Sequence, residues 1–300
     1  LAARLTYRPD RDVYEMLMVM GPDEYTPFSR NNAYTNWMTA LTLRLTDQAW
    51  HLLRERDAEA AAALARRLEL NDPELNRFAD IAARLRFPYD EQRRLVLQSD
   101  DFFDYERFDA DRLWTDRRKR VGASVSQERL YRSQVLKQAD VVQLMAVAPH
   151  QFDADQMRVA FETYEPLTSH DSSLSKSMHA IVAAWLGLDE LAQRFWDESV
   201  SLDLEPGEAA EGIHAACAGA NWQVAVFGFG GLRTVMQSDL LHIDPHLPQR
   251  WQRLSFPFVW RGQPLTITLT HADVHIAHRG DQPVEARIAG RDCTLKPGQE

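Results

Sequence analysis

Apolar side chains recur at helical spacing through the first three-quarters of the chain and alternate with polar ones in the last quarter. Between residues 31 and 55 they fall at Tyr34, Trp37, Met38, Leu41, Leu45, Ala49 and Leu52, which predicts an amphipathic helix. Asp57 to Leu70, acidic at its start and then rich in Ala and Arg, predicts a second. Pro73 to Leu85 predicts a third, with Pro in the first turn and Leu75, Phe78, Ala79 and Ala82 on one face. Residues 86–126 lack a period and mix aromatics with acids, as in Asp100-Asp101-Phe102-Phe103-Asp104-Tyr105, which suits either a lid or a packed connection. The helical period returns over Gln127 to Ala148, then in Asp153 to Tyr164, Leu174 to Leu186, Leu188 to Val200 and Ala209 to Phe227. No β-branched apolar runs separate these segments, so a layered or toroidal all-α domain is expected rather than a βαβ order.

After Gly228-Phe229-Gly230-Gly231 the period becomes two. Leu240 to Ile243, Leu254 to Trp260, Leu265 to Thr270, Val274 to Ala277, Val284 to Ile288 and Cys293 to Leu295 are short runs broken by Pro, Gly or Asp. The chain therefore reads as mainly α with a C-terminal β part: a helical domain over 1–231, a tight Gly-rich join, and a small antiparallel β-sandwich over 232–300.

Composition narrows the function classes. The 300 residues are 45% hydrophobic and 26% charged, as in soluble globular proteins with a substantial core. No run approaches the roughly 20 apolar residues of a membrane helix, and no signal-like segment opens the chain, so no membrane partner is expected. A net charge of −10 repels phosphodiester backbones. The basic clusters Arg93-Arg94 and Arg117 to Arg120 lie beside acids rather than aromatic platforms, so nucleic acid is not an expected partner. Cys217 and Cys293 stand far apart, Cys217 in an Ala-rich stretch that reads as core, and a reducing cytoplasm is compatible.

Several stretches carry candidate chemistry. Gly21-Pro22-Asp23-Glu24-Tyr25 sets carboxylates in a tight turn, and Asn31 to Asn36 then starts a helix. Glu24 reads either as a catalytic acid or as part of an ordinary turn built on breaker pairs. Lys137 and Gln138 lie within Val135 to Val142, and on the predicted helix Lys137 shares a face with Leu130, Val141 and Met145. Its ammonium either snorkels or meets an acid, an anion or a sugar hydroxyl. Thr168 to Ser175 offers hydroxyls and the imidazole of His170 ahead of a helix. Ser172 or Ser173 there suits an oxyanion such as phosphate, while Asp171 or Ser172 equally suits an N-cap. Glu211-Gly212-Ile213-His214 opens the last predicted helix, where His214 is either a satisfied core residue or, beside small and polar Ala218 and Asn221, a ligand contact. There is no HExxH, paired CxxC, GxGxxG or Gly-x-Ser-x-Gly, and His242, His246, His271, His275 and His278 are expected at solvated or rim positions, so no metal site is expected.

In this order, the stretches resemble glycoside hydrolase family 65, the maltose, trehalose, kojibiose and nigerose phosphorylases. The matching words are Met20 to Tyr25, Asn31 to Asn36, Lys137 to Val141, His170 to Ser175, Glu211 to His214, Gly228 to Arg233, and Pro245-His246-Leu247-Pro248 with Trp251 and Leu254. The resemblance implies part of an (α/α)6 barrel followed by a C-terminal β-sandwich. It also implies that an N-terminal β-sandwich, a helical linker, the first barrel helices and a glucose-gripping Trp-Asp motif stand upstream. Carried over, Glu24 is the general acid, Lys137 and Gln138 bind the glucosyl unit, and Ser172, Ser173 and His214 hold phosphate with help from His170. The implied reaction is inverting phosphorolysis of an α-linked glucose disaccharide or glucoside, with inorganic phosphate as co-substrate and no metal or organic cofactor; a homodimer is usual in such a family. An inverting hydrolase is the alternative, needing a second carboxylate for which Glu162 and Glu165 are near in sequence. A non-catalytic carbohydrate-binding or assembly module is a further one. Thr26-Pro27-Phe28-Ser29-Arg30 departs from the usual His-containing segment, which leaves the acceptor open. The 300-residue chain alone is expected to be inactive.

Overall fold

The computed structural model of the chain describes residues 1–107, 114, 120–204, 212–233 and 239–298. It forms two compact units, one of Leu1–Val141 with Leu167–Ser169, the other of Val142–Pro166 with His170–Glu300.

In the first unit a hairpin of β1 (Thr6–Arg8) and β2 (Val13–Glu15) precedes α1 (Ala33–Arg56), α2 (Ala58–Leu68) and α3 (Asp72–Arg84). Each helix starts where its sequence supplies a cap. The Asn32, Asp57 and Asn71 side chains accept the backbone N–H three residues on, and Pro73 occupies the first turn of α3. Ala40, Leu43, Ile81 and Ala82 form a core with Leu5, Tyr14 and Phe78 around it. The predicted stripe of α1 is corrected: of its seven residues Trp37 alone is buried, and Leu45 and Leu52 are 40% and 46% exposed. The buried face is instead small and partly polar (Ala33, Asn36, Trp37, Thr39, Ala40, Leu43), because there the helix bonds to other chain segments, as when Asn36 Nδ2 donates to the Arg86 carbonyl at 2.7 Å.

Where it is described, the stretch from 86 to 107 is a packed connection, with a two-strand pair β3 (Tyr89–Asp90) and β4 (Leu95–Val96) and a fully buried Phe102. The basic residues 117–119 lie outside the described residues. The single helix predicted over Gln127 to Ala148 is two: α4 (Gln127–Leu130) and α5 (Asp140–Val147). Between them backbone groups pair with distant chain instead of with the next turn. Gln134 N–H donates to Glu106 O (2.8 Å), Leu136 N–H to Leu167 O (2.9 Å), and Ser169 N–H to Leu136 O (2.8 Å). Lys137 thus lies in a bend between the two helices, not on a helical stripe with Leu130.

In the second unit α6 (Ala154–Tyr164) begins with a capping box between Asp153 and Gln156. The central helix is α7 (Ser175–Trp185), buried along nearly its whole length and packed on α8 (Asp189–Val200) and α9 (Ala215–Gln223). A polar joint fastens the three: Ser177 Oγ and Ser199 Oγ are 2.8 Å apart, and Ser199 Oγ donates to Asn221 Oδ1 at 2.6 Å. Residues 209–211, expected to begin the last helix, lie outside the described residues. That helix continues past Gln223 as a π-helical segment, Val224–Phe229. Gly231 then turns the chain at φ +64°, where a Cβ would stand 1.7 Å from Asp244 O.

Seven strands follow: β5 (Leu232–Arg233), β6 (Leu241–Ile243), β7 (Leu254–Trp260), β8 (Gln263–Leu269), β9 (Val274–His278), β10 (Val284–Ile288) and β11 (Arg291–Leu295) among the described residues. They make one sheet of order β11-β10-β6-β5 and another of order β7-β8-β9. Side chains of both sheets, among them Leu241, Ile243, Phe256, Ile267 and Ala286, share one core with Val226. The expectation of a wholly antiparallel sandwich is corrected at one pair, since β6 and β10 run parallel with Leu241 opposite Ala286. His278 is also corrected from rim to core. It is 2% exposed because its Nε2 donates to Gln282 O and its Nδ1 accepts Gly280 N–H, which closes the turn after β9.

Leu241→Ala is expected to lower stability by about 2–5 kcal/mol, and Leu45→Ala by no more than about 0.5 kcal/mol, read as urea midpoints. Equal losses would place Leu45 in the core after all.

Candidate active site

Glu24 sits on a closed loop. Val19 and Ser29 exchange backbone hydrogen bonds at 3.0 and 3.1 Å, and Ser29 Oγ donates to Val19 O, which cinches its neck. Inside the loop Asp23 is fully buried. Its Oδ1 accepts the N–H groups of Lys137 (2.8 Å) and Tyr25 (3.3 Å), and its Oδ2 accepts the Thr26 hydroxyl (2.8 Å). Asp23 N–H in turn donates to Oδ1 of Asp140 (2.7 Å), whose Oδ2 accepts Nδ2 of Asn32 (2.6 Å). Asp140 is as deeply buried as Asp23. Burial pushes the Asp23 carboxyl up to about 6 against the opposing pull of these hydrogen bonds. Burial, and then the neighbouring Asp23, push Asp140 well above the usual carboxylate range. Gly21 is required here, because a Cβ would stand 2.1 Å from Asp140 Oδ2 and 2.6 Å from Asn32 Nδ2.

The scaffold turns Asp23 inward and leaves the next side chain, Glu24, 60% exposed. Lys137 Nζ donates to Glu24 Oε2 at 2.6 Å, and Gln138 Nε2 donates to the Pro22 carbonyl at 2.7 Å. Three residues singled out from the sequence, Glu24, Lys137 and Gln138, are therefore brought onto one loop junction of the first unit.

The second unit carries the others. His170 has a left-handed backbone (φ +56°), and its Nδ1 is 2.8 Å from Ser175 Oγ. His179 Nδ1–H donates to the Ser175 carbonyl at 2.9 Å, and the two imidazoles meet edge to face at 4.6 Å. Burial holds His179 down to about 4; burial, followed by the charges of His179, Lys176 and Arg194, holds His170 well below the ordinary histidine range. The Nε2 atoms of both are buried without a hydrogen-bond partner. The N-cap expected at Asp171 or Ser172 is corrected. α7 starts at Ser175 behind Leu174, and Ser172 Oγ accepts Leu174 N–H at 3.3 Å, so Ser172 and Ser173 stand on the turn before the helix. His214 precedes α9 and is gripped by Asp203, which accepts its Nδ1–H at 2.6 Å and its backbone N–H at 2.9 Å. The His214 hydrogen bond holds the Asp203 carboxyl below its ordinary range. Among the described residues no cluster of three or more His, Cys, Asp or Glu side chains could hold a metal ion.

Reading the sequence missed Asp23, Asp140, Asn32, His179 and Asp203 as parts of these arrangements. A signal existed for one: Asp140 interrupts the apolar run Ala139-Asp140-Val141-Val142, where a charge needs a buried partner. Asp203 carried none, since only folding brings it to His214.

Two family models cover the chain: the central catalytic domain of glycosyl hydrolase family 65 at residues 2–223 and that family's C-terminal domain at residues 233–295. A kojibiose phosphorylase of Caldanaerobacter subterraneus subsp. tengcongensis is 34% identical over 98% of this chain. A 1,2-alpha-glucosylglycerol phosphorylase of Bacillus selenitireducens is 33% identical, and a maltose phosphorylase of Bacillus subtilis 32%, each over 98% of this chain. A solved structure, "Putative kojibiose phosphorylase from human microbiome", superposes with a TM-score of 0.85 at 28% identity, covering 98% of this chain and 38% of that one. The chain belongs to glycosyl hydrolase family 65, and it spans 38% of the first of these curated relatives. Its fold is mainly α with a C-terminal β region, part of an (α/α)6 barrel followed by a small β-sandwich.

Gly21→Ala is expected to destabilise the first unit, since the new methyl must displace a buried carboxylate; increased hydrogen exchange at residues 19–29 measures it. The two units are expected to answer pH oppositely. Asp23 titrates near 6 folded against an ordinary 3.8, so its contribution to stability is fully present below about pH 4 and is lost as pH rises through about 6. Asp23→Asn, whose Oδ1 can still accept from Lys137 and Tyr25 while its amide donates to the Thr26 hydroxyl, is expected to flatten that slope. His179 titrates near 4 folded against 6.5, so its contribution is lost as pH falls through that window. Parallel pH profiles for wild type and Asp23→Asn would contradict the first assignment.

Proposed function

We propose that this member of glycosyl hydrolase family 65 carries the acid, sugar and phosphate groups of an inverting α-glucoside phosphorylase, converting an α-glucoside and phosphate to β-glucose 1-phosphate and the free acceptor. The observation that carries the proposal is the exposed Glu24 carboxylate, projected from a loop pinned by two buried aspartates and contacted by Lys137 at 2.6 Å. Support comes also from relatives named as kojibiose, maltose, trehalose and glucosylglycerol phosphorylases. The reaction is proposed for a protein of the relatives' length, and the 300-residue chain assayed alone is expected not to turn over. Within it, residues 1–231 are assigned to the barrel and residues 232–300 to the β-sandwich domain.

In this reading Glu24 protonates the glycosidic oxygen while phosphate attacks the anomeric carbon from the opposite face. A glucosyl hydroxyl accepts the Lys137 ammonium, drawing it off Glu24 and letting the acid take up the proton that it must deliver. Gln138, anchored on Pro22 O, keeps its own position fixed relative to the acid loop. Phosphate arrives anionic, so it needs donors and no general base. Ser172 and Ser173 serve as those donors, and His214, whose Nδ1–H is held by Asp203, turns its Nε2 to the phosphate's own hydroxyl. His170, held neutral by burial, orients the turn and brings no charge.

The carboxylates available for hydrolysis are poorly suited to it. Glu162 is exposed and paired with Arg158 at 3.8 Å, and burial raises Glu165, which favours a protonated group where a base must be ionised. Both facts favour phosphorolysis over the hydrolase alternative.

The decisive assay uses the full-length gene product on a panel of α-glucosides with and without phosphate. Phosphate-dependent β-glucose 1-phosphate is the expected product, and glucose released equally without phosphate would refute the reading. Glu24→Gln is expected to lower kcat by about 10²–10⁴-fold, and retained turnover would also reject the non-catalytic carbohydrate-binding alternative in favour of another acid. Ser172→Ala and His214→Ala are expected to raise KM for phosphate more than KM for the glucoside.

A further inference from the structure

The second unit holds a cavity of about 200 Å³ that none of the proposed catalytic groups lines. Its walls are Pro149, Met178, Ile181, Trp185 and Phe227, and Arg233 brings its one charge. The guanidinium lies over the Trp185 ring, 5.1 Å from its centroid, and that ring is locked because Trp185 Nε1 donates to the Phe227 carbonyl of the π-helical segment at 2.7 Å. The platform under the cation is therefore rigid.

The cation itself is under-satisfied. Its Nε is buried with no hydrogen-bond partner, and the carboxylate of Asp244 stands 3.8 Å from one terminal nitrogen, beyond hydrogen-bond reach and itself 54% exposed. A buried donor left unmade costs about 1–3 kcal/mol, so its retention asks for a partner. The planar guanidinium fork matches a planar oxyanion through two parallel hydrogen bonds. Apart from Gln223 the remaining walls are apolar, which calls for an apolar body on the same molecule. The volume lies below the ~300–1,000 Å³ of sites for drug-sized ligands, which limits that body to about one ring or a branched aliphatic group.

We propose that this cavity is a binding site for a small organic carboxylate, with the carboxylate on Arg233 and its apolar body between Met178, Phe227 and the edge of Trp185. The site is lined by none of the proposed sugar and phosphate groups and does not depend on the phosphorylase reading. Benzoate is the probe, with benzamide as its neutral counterpart and inorganic phosphate as an anion lacking the apolar body, each titrated calorimetrically into the chain. Saturable benzoate binding is expected, with benzamide and phosphate at least about tenfold weaker. Arg233→Met, which keeps an apolar stem over Trp185, is expected to weaken benzoate at least about tenfold. Val147→Trp is the second variant: Val147 is 42% exposed at the cavity's rim, so the larger side chain fills the space without disturbing the core. Absence of saturable binding, equal affinity for benzamide or phosphate, or benzoate binding unchanged in whichever of these variants folds overturns the proposal.

Discussion

Asp140, a carboxylate shut away from water, ties together three stretches of chain that are distant in sequence. It accepts the Asp23 N–H from the acid loop and the Asn32 amide from the start of α1, while its own backbone N–H donates to Gln98. Two dry carboxyls so close are tolerable because peptide and amide donors converge on them, and because burial favours keeping a proton there. Everything about Glu24 follows from this arrangement. Asp23 and Tyr25 are buried on either side of Glu24, so a rigid, dry anchor at Asp23 sets an adjacent carboxylate in solvent. Catalytic groups need such support from residues that never touch substrate.

The second unit uses buried polarity for another purpose. The Ser177, Ser199 and Asn221 contacts join three helices, and a half-satisfied network there would favour a shifted register. His170 and His179 share Ser175, one through its hydroxyl and the other through its carbonyl, so the first turn of α7 and the turn carrying Ser172 and Ser173 are fixed by the same residue. Precision at the proposed phosphate donors therefore originates one helical turn away from them.

Local chemistry made much of this legible. The asparagine run from Asn31, the acidic start at Asp57, Pro73 in a first turn and the period-two runs after Gly231 announced their elements, since each needs only neighbours in sequence. The sequence singled out Glu24, Lys137 and Gln138, which the fold brings together on one loop junction. What stayed hidden was set by distant chain. Residues 131–139 have a helical pattern, yet their backbone bonds go to Glu106 and Leu167, and no local signal reports such a competitor. The apolar spacing in α1 pointed to leucines that face outward, because the contacting face is chosen by Asn36 and its partner. The parallel pairing of β6 with β10 was equally invisible, since it joins strands separated by the whole β7-β8-β9 sheet.

That pairing has a bearing on how the protein is made. β6 leaves the helical region early, but its neighbour β10 is synthesised some forty residues later, and long-range strand pairing forms slowly because loop closure precedes its reward. Until β10 emerges from the ribosome, β6 offers an open edge and Leu241 and Ile243 lack their cover. The nascent chain thus passes through an interval in which an apolar strand edge is bare, the kind of exposure that favours misassembly.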